Sequence, residues 1–355
     1  MSDPFGSTAT ICQNVGTSVV ERIAELTAMQ RCSWTNPVLD CEAGRCAPLG
    51  NRVARGGTRR IDLHCHSTFS DETVRWLPGI LFHPLLTPEE TYRAAKSRGM
   101  DFVTITDHDT IDGCKALLDR HGPLSDFIIG EEVSVVFPDD KLLIHVNVFD
   151  INEEQHREIQ RVRTNIHEFV DYVRRIDKLF VLNHMTWNEQ HRPLTRKHIE
   201  IMLQLFPIFE GINGTRSYAH NAFAWFATRG HDKVLVGGSD SHTNRVGTTY
   251  TLTRGESRLE LIAAIRAGQA EACGAFGTAE KFREDVWTLI QKNMERRVEE
   301  ATSAWERTLC RIVRRVGRVV YPTVCLGYHA RQASLIRDSL REVPEGALAE
   351  SRSLA

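Results

Sequence analysis

The chain has 355 residues, 41% hydrophobic and 25% charged, and its 44 basic and 46 acidic side chains leave a formal charge of −2. This is the composition of an ordinary globular protein, long enough for one large domain or one domain with an appendage. The near-neutral balance removes the electrostatic case for a dedicated nucleic-acid or anionic-membrane binder, outside a local basic patch. No run of about 18 apolar residues is present, which excludes a transmembrane helix. Arg22 is the first basic residue and Pro4 and Gly6 precede any apolar run, so no secretory signal is expected and the location reads as cytoplasmic.

Residues 1 to 58 mix an amphipathic stretch (Val19, Val20, Ile23, Ala24, Leu26) with the turn signals Asn36-Pro37, Pro48-Leu49-Gly50 and Gly56-Gly57. They are expected to form an N-terminal extension, partly disordered. Nine cysteines, with no Cys-x-x-Cys pair, read as free thiols in a chain too large to need disulfide staples. Cys32, Cys41 and Cys46 match no common zinc-knuckle spacing.

From Arg60 the texture changes to short β-branched runs. Strands are predicted at Arg60-Ile61-Asp62-Leu63, 102–106, 142–144, 179–182, 207–212 and 234–236. Helices lie between them. Thr87-Pro88-Glu89-Glu90 is a capping box with proline at the first helical position and Gly99 as the stop, and Ser257 with Glu260 repeats the pattern ahead of Gly268. Such alternation over 59–278 predicts an α/β domain with a parallel sheet, open or closed into a barrel.

From 279 to 355 the pattern is helical. Residues 307–341 carry eight arginines against the single acid Asp338. Leu309, Ile312, Val313, Val316 and Val320 form an apolar stripe, while Arg311, Arg314, Arg315 and Arg318 take the other face. The stripe is expected to pack on the barrel or on a second copy of the chain, giving a homo-oligomer through the C-terminal helices. A membrane-surface helix and phosphate-backbone binding are the alternatives.

Histidines carry the chemistry. Six of the fifteen fall at or just after predicted strand ends, several beside carboxylates: His64-Cys65-His66, Asp71, Asp107-His108-Asp109, Glu132, His145, Asn183-His184 and Asp240-Ser241-His242. In a parallel α/β sheet the C-terminal strand ends open on one face, so these groups would converge. Imidazole and carboxylate together are ligands for Zn²⁺, Mn²⁺ or Fe²⁺. Alone, each motif has a plain structural explanation: a helix cap for Asp109, a core histidine for His145, a turn at 240–242. Coincidence at six successive strand ends is what favours ligation.

His64-x-His66 with Ser70-Asp71, then Thr106-Asp107-His108-Asp109, Gly130-x-Glu132, His145, His184 and Asp240-x-His242 resembles the PHP (polymerase and histidinol phosphatase) superfamily of metal-dependent phosphoesterases. The resemblance covers about 60–277. It implies a distorted (β/α)7 barrel and a trinuclear metal centre of three divalent ions. By the same resemblance, His64, His66, Glu132 and Asp240 hold one metal, Glu132 bridges to a second held by His145 and His184, and Asp71, His108 and His242 hold the third. One departure is an insertion after Asp71-Glu72, running through Thr73-Val74-Arg75-Trp76 and Phe82-His83-Pro84, which is expected to shape the substrate pocket.

The chemistry follows from charge. Two cations bridged by a carboxylate lower the pKa of water enough to hold hydroxide at neutral pH, and a third neutralises phosphate oxygens during in-line displacement. The expected activity is hydrolysis of a phosphate ester of a small molecule or nucleotide, with Glu132, Asp240 and His242 at the catalytic centre. Arg216 and Arg245 are candidate phosphate clamps, with solvated arginines as the plain alternative. Competing readings are a 5′-3′ exonuclease on short RNA or DNA, little supported by the charge, and a carbon-nitrogen hydrolase of amidohydrolase type. The latter usually shows a metal-bridging lysine, and none stands at a strand end here.

Overall fold

A computed structural model describes residues 49–50, 57–70 and 82–343. The strands in chain order are β1 (Leu49–Gly50), β2 (Thr58–Asp62), β3 (Phe102–Ile105), β4 (Phe127–Val136), β5 (Leu143–Phe149), β6 (Leu179–Leu182), β7 (Ile208–Asn213), β8 (Val234–Gly238), β9 (Thr249–Arg254) and β10 (Glu271–Gly274). The helices are α1 (Pro88–Ser97), α2 (Asp112–His121), α3 (Glu153–Val162), α4 (Ile166–Arg175), α5 (Arg196–Leu205), α6 (Tyr218–Thr228), α7 (Arg258–Arg266), α8 (Ala279–Glu300) and α9 (Ala304–Leu340).

Strands β2 to β8 run in sequence order around a distorted barrel. The seam closes where the continuation of β2 meets the continuation of β8: the Asp240 amide donates to the His64 carbonyl at 2.6 Å and the His66 amide to the Ser241 carbonyl at 3.1 Å. Strands β9, β10 and β1 extend the sheet antiparallel from β2. The barrel is not wholly parallel. β5 runs antiparallel to both β4 and β6, because β4 and β5 join as a hairpin with no crossover helix between them.

Alternation along the strands divides the interior from the helical layer. Val181 packs with Ile61, Leu63, Ile128 and Val236 in one cluster, while its neighbours Phe180 and Leu182 pack outward with Phe169, Met202 and Phe223 of α4, α5 and α6. Leu261, Ile262 and Ile265 of α7 join the inner cluster. Arg266 of α7 reaches Asp177, which precedes β6, at 2.9 Å; α7 therefore plugs the barrel end opposite the histidines.

The caps behave as the sequence predicts. Thr87 and Glu90 form the reciprocal capping box of α1, with Pro88 at its first position, and Ser257 accepts from the Glu260 amide at the start of α7. Gly99 and Gly268 stop these helices with φ of 78° and 75°, a left-handed conformation that costs glycine little.

The C-terminal stripe differs from expectation. Ile312, Val316 and Val320 are exposed rather than packed on the barrel; the side chains of Leu309 and Val313 lie outside the described set. Helix α9 turns another face inward, burying Cys310, Cys325, Gln332, Ile336 and Leu340. That face carries the groups with partners on the barrel, so it wins the contact.

Candidate metal centre

β2 ends at Asp62, and the extended segment beyond it alternates His64 in, Cys65 out, His66 in. Cys65 packs in a further cluster with Ile105 and Cys114 outside the barrel, as alternation predicts. His64 is pressed against β8: a Cβ on Gly238 would stand 2.4 Å from His64 Cβ, so only glycine permits this approach. Antiparallel β5 contributes His145 near its own start, the end that shares a face with the C-terminal ends of its neighbours. His184 and Asp240 hold φ of 21° and 50°, strained values for non-glycine residues that concentrate at functional sites.

The two oxygens of Glu132 face different partners. Oε2 lies 3.0 Å from His64 Nε2, 3.2 Å from His66 Nε2 and 3.4 Å from His108 Nδ1. Oε1 lies 3.3 Å from His145 Nδ1 and 3.2 Å from His184 Nε2, and accepts from Asn183 Nδ2 at 2.8 Å. Asp240 divides likewise. Its Oδ1 stands 3.6, 3.5 and 3.8 Å from nitrogens of His64, His66 and His242. Its Oδ2 accepts from Thr215 Oγ1 at 2.7 Å and Asn213 Nδ2 at 3.2 Å and pairs with Arg216 Nη2 at 3.2 Å.

These separations suit shared cations, since two ligand atoms each about 2.1 Å from one ion stand about 3.0–3.4 Å apart. Four overlapping trios gather: His64, His66 and Asp240; His64, Glu132 and His184; His108, Glu132 and His145; and His66, His108 and His242. His66 Nε2, His184 Nδ1 and both ring nitrogens of His145 are buried without a hydrogen-bond partner. Buried donors and acceptors are normally satisfied. Nitrogens of this kind, crowded on acceptor-only carboxylates, are the donor set a divalent cation completes.

Electrostatics agree. Burial would raise the Glu132 carboxyl, but His64, His108 and His145 outweigh it and hold it well below the usual range. Burial likewise opposes protonation of His145, yet Glu132 pushes it up to about 10. His184 is shifted down by burial, with Arg216 adding to the effect.

A second layer orients these groups. Glu210 Oε1 meets His64 Nδ1 at 3.0 Å, and its Oε2 accepts from the His184 amide and Asn213 Nδ2, each at 2.8 Å. Such carboxylate-histidine contacts fix ring orientation and raise ligand basicity. Asp62, pushed up to about 6 by burial, accepts from the Ser239 and Gly247 amides at 2.8 and 2.7 Å. Asp107 accepts from Ser67 Oγ at 2.6 Å, and so braces the loop bearing His66.

Of the sequence candidates, His64, His66, His108, Glu132, His145, His184, Asp240 and His242 come together. Asp71 lies outside the described residues, as do the first part of the insertion and Cys32, Cys41 and Cys46. The described end of the insertion runs beside the site, with the Leu85 amide donating to the His242 carbonyl at 2.9 Å. Arg216 stands at the centre, its guanidinium 4.1 Å over the Trp187 ring. Arg245 does not. Its guanidinium pairs with Asp285 at 2.7 Å and Glu284 at 3.1 Å on α8. Sequence reasoning missed Glu210, Asn213 and Trp187. A glutamate in the apolar run Pro207-Ile208-Phe209-Glu210 was the available signal for the first.

No protein-family profile matches the chain, and no curated protein matches it. Among solved structures, a protein of Bifidobacterium adolescentis provisionally described as a metal-dependent phosphoesterase is 17% identical, covering 54% of this chain and 89% of its own, with a TM-score of 0.39. PsfC of Pseudomonas syringae is 14% identical over 72% of this chain and 100% of its own, with a TM-score of 0.43. An amidohydrolase of Chromobacterium violaceum is 15% identical over 66% and 96%, with a TM-score of 0.40. Overall likeness of this degree leaves the chemistry to the site's own residues.

Proposed function

We propose that this protein is a metal-dependent phosphoesterase acting on a small-molecule or nucleotide phosphate ester. The observation that carries the reading is the two-sided Glu132 carboxylate, with three imidazoles on one oxygen and two imidazoles on the other. A carboxylate in this position, rather than a lysine, favours the phosphoesterase reading over the amidohydrolase alternative. His64, His66 and Asp240 would hold one ion, His145 and His184 a second, and His108 and His242 a third together with Asp71, with Glu132 between the first two. Bound Mn²⁺, Zn²⁺ or Fe²⁺ would supply Lewis acidity toward phosphate oxygens and water.

The chain's own residues do the rest. Glu210 and Asn183 fix the ligands about Glu132. Arg216, held between Trp187 and Asp240, has a buried Nε without a partner and would donate to a phosphoryl oxygen. The buried setting keeps bulk water from screening that contact.

A panel of phosphate monoesters, phosphodiesters, single-stranded oligonucleotides and amides tests the reading on metal-loaded protein. Phosphate-ester hydrolysis, abolished by chelator and restored by Mn²⁺ or Zn²⁺, is expected, with close to three ions per chain by elemental analysis. Turnover of amides alone would overturn the phosphoesterase reading, and one ion or fewer after loading would overturn the trinuclear one.

A further inference from the structure

Helix α9 presents two faces of opposite character. Inward, Tyr328, Gln332, Ile336 and Leu340 are covered by the barrel side. Outward, Trp305, Ile312, Val316, Val319, Val320 and Val324 are all exposed, Val319 at 78%. At 100° per residue these six fall on one arc of the helix, about 30 Å long from Trp305 to Val324. Leu326, 71% exposed, extends the arc by a further half-turn. Contiguous exposed apolar surface of this kind marks an interaction site.

Charge selects the occupant. Arg311, Arg315 and Arg318 run along one border of the arc, and no acidic residue occurs between Glu306 and Asp338. The neighbouring acids lie on α8, where Glu295 meets Arg314 at 3.4 Å and shares a groove of about 520 Å³ with Glu299, Arg311 and Arg315; Lys292 and Arg296 on the same helix offset them. A second copy docking this face, parallel or antiparallel, would set arginine rows against a helix whose nearest acids, Glu295 and Glu299 of α8, already lie beside its own Arg311, Arg314 and Arg315. Nucleic acid would match the arginines but leave the valines in water. A bilayer with anionic headgroups satisfies both, its phosphates meeting the arginines and its acyl boundary the valines, with Trp305 at one end as an interfacial aromatic.

We infer that the outer face of α9 is a docking surface for an anionic lipid bilayer, placing this protein at a membrane surface without spanning it. Co-sedimentation of the full chain with phosphatidylcholine vesicles containing 30% phosphatidylserine tests this, with pure phosphatidylcholine vesicles and a single-stranded oligonucleotide as comparisons and light scattering for the oligomeric state. Binding to the anionic vesicles is expected. Arg315→Gln with Arg318→Gln should weaken it about 25-fold, from about fivefold per basic residue near an anionic surface. Val316→Asp with Val319→Asp should abolish it while keeping the wild-type melting temperature. The inference is overturned by no binding to anionic vesicles in 0.1 M salt, by binding that survives the valine substitutions, or by a dimer dissolved by those substitutions in a protein that ignores vesicles. Oligonucleotide binding with no vesicle binding would assign the arginines to nucleic acid and overturn it equally.

Discussion

Replacing Glu132 by glutamine tests the centre most directly, because it keeps the shape and one oxygen while removing the charge that two groups of imidazoles share. The carboxylate stands 3.0 to 3.4 Å from His64, His66, His108, His145 and His184. A unit charge and a divalent ion about 4 Å apart attract by about 8 kcal/mol at an effective dielectric of about 20. Relaxation and water entry return most of that, and a loss of about 3 kcal/mol, roughly 100-fold in affinity, is a lower bound for any ion Glu132 would hold. Turnover should fall by orders of magnitude. The fold should survive, since the barrel rests on the buried phenylalanines and aliphatics of its hydrophobic clusters. Metal titration with elemental analysis, far-ultraviolet circular dichroism and turnover measure the three effects, with His167→Gln on the exposed face of α4 as the neutral control. Unchanged metal affinity in the glutamine variant would refute the bridging role, and equal, mild losses in both variants would reduce Glu132 to an ordinary core residue.

Two further outcomes follow from contacts outside the ligand set. Gly238→Ala would push a methyl to 2.4 Å from His64 Cβ and 2.9 Å from its amide nitrogen, displacing His64, so metal content should drop with a modest loss of melting temperature; full metal occupancy would contradict the close approach. The buried Glu131 carboxylate accepts from His156 Nδ1 at 2.7 Å and raises that imidazole above its ordinary value. A raised histidine contributes stability that is fully present below the unfolded imidazole pKa of about 6.5 and lost as pH rises through the folded value; burial holds Glu131 up as well, which carries the same sign in a lower window. Urea midpoints should therefore fall as pH rises above 6.5, and His156→Gln should flatten that decline.

The sequence marked most of the His/Glu/Asp cluster because its members stand at or just past strand ends, and strands are marked by runs of β-branched residues. His64, His66, His108, His184 and Asp240 were found that way. Their second layer was less legible. Glu210, Asn213 and Thr215 bond one another locally but reach the cluster only through contacts distant in sequence, and no local pattern encodes a contact between residues 146 apart, as in Glu210 to His64. Among strands, β4 escaped prediction because Gly130-Glu131-Glu132 interrupts its apolar run. Those same carboxylates are buried on opposite faces, Glu131 against α3 and Glu132 in the centre. β9 and β10 pair antiparallel beside the seam, and their alternation of threonines with larger residues carries less signal than a continuous apolar run.

Among the described residues the C-terminal helix α9 adds no group to the His/Glu/Asp cluster, yet it is tied to that cluster. Trp187 Nε1 donates to Tyr328 Oη at 2.9 Å, and Tyr328 stacks on Phe282 of α8 with ring centroids 5.0 Å apart. Gln332 meets His191 at 2.9 Å and His220 at 3.3 Å. On the other side of the Trp187 ring lies Arg216, whose guanidinium pairs with Asp240. Asp240, Arg216, Trp187 and Tyr328 thus form one chain of contacts from the His/Glu/Asp cluster to α9. Each link is buried or half-buried, where a lost hydrogen bond leaves an unsatisfied group costing about 1–3 kcal/mol. The inner face of α9 is therefore held by polar contacts specific to this barrel, and its outer face, free of such constraints, keeps the exposed valines and arginines.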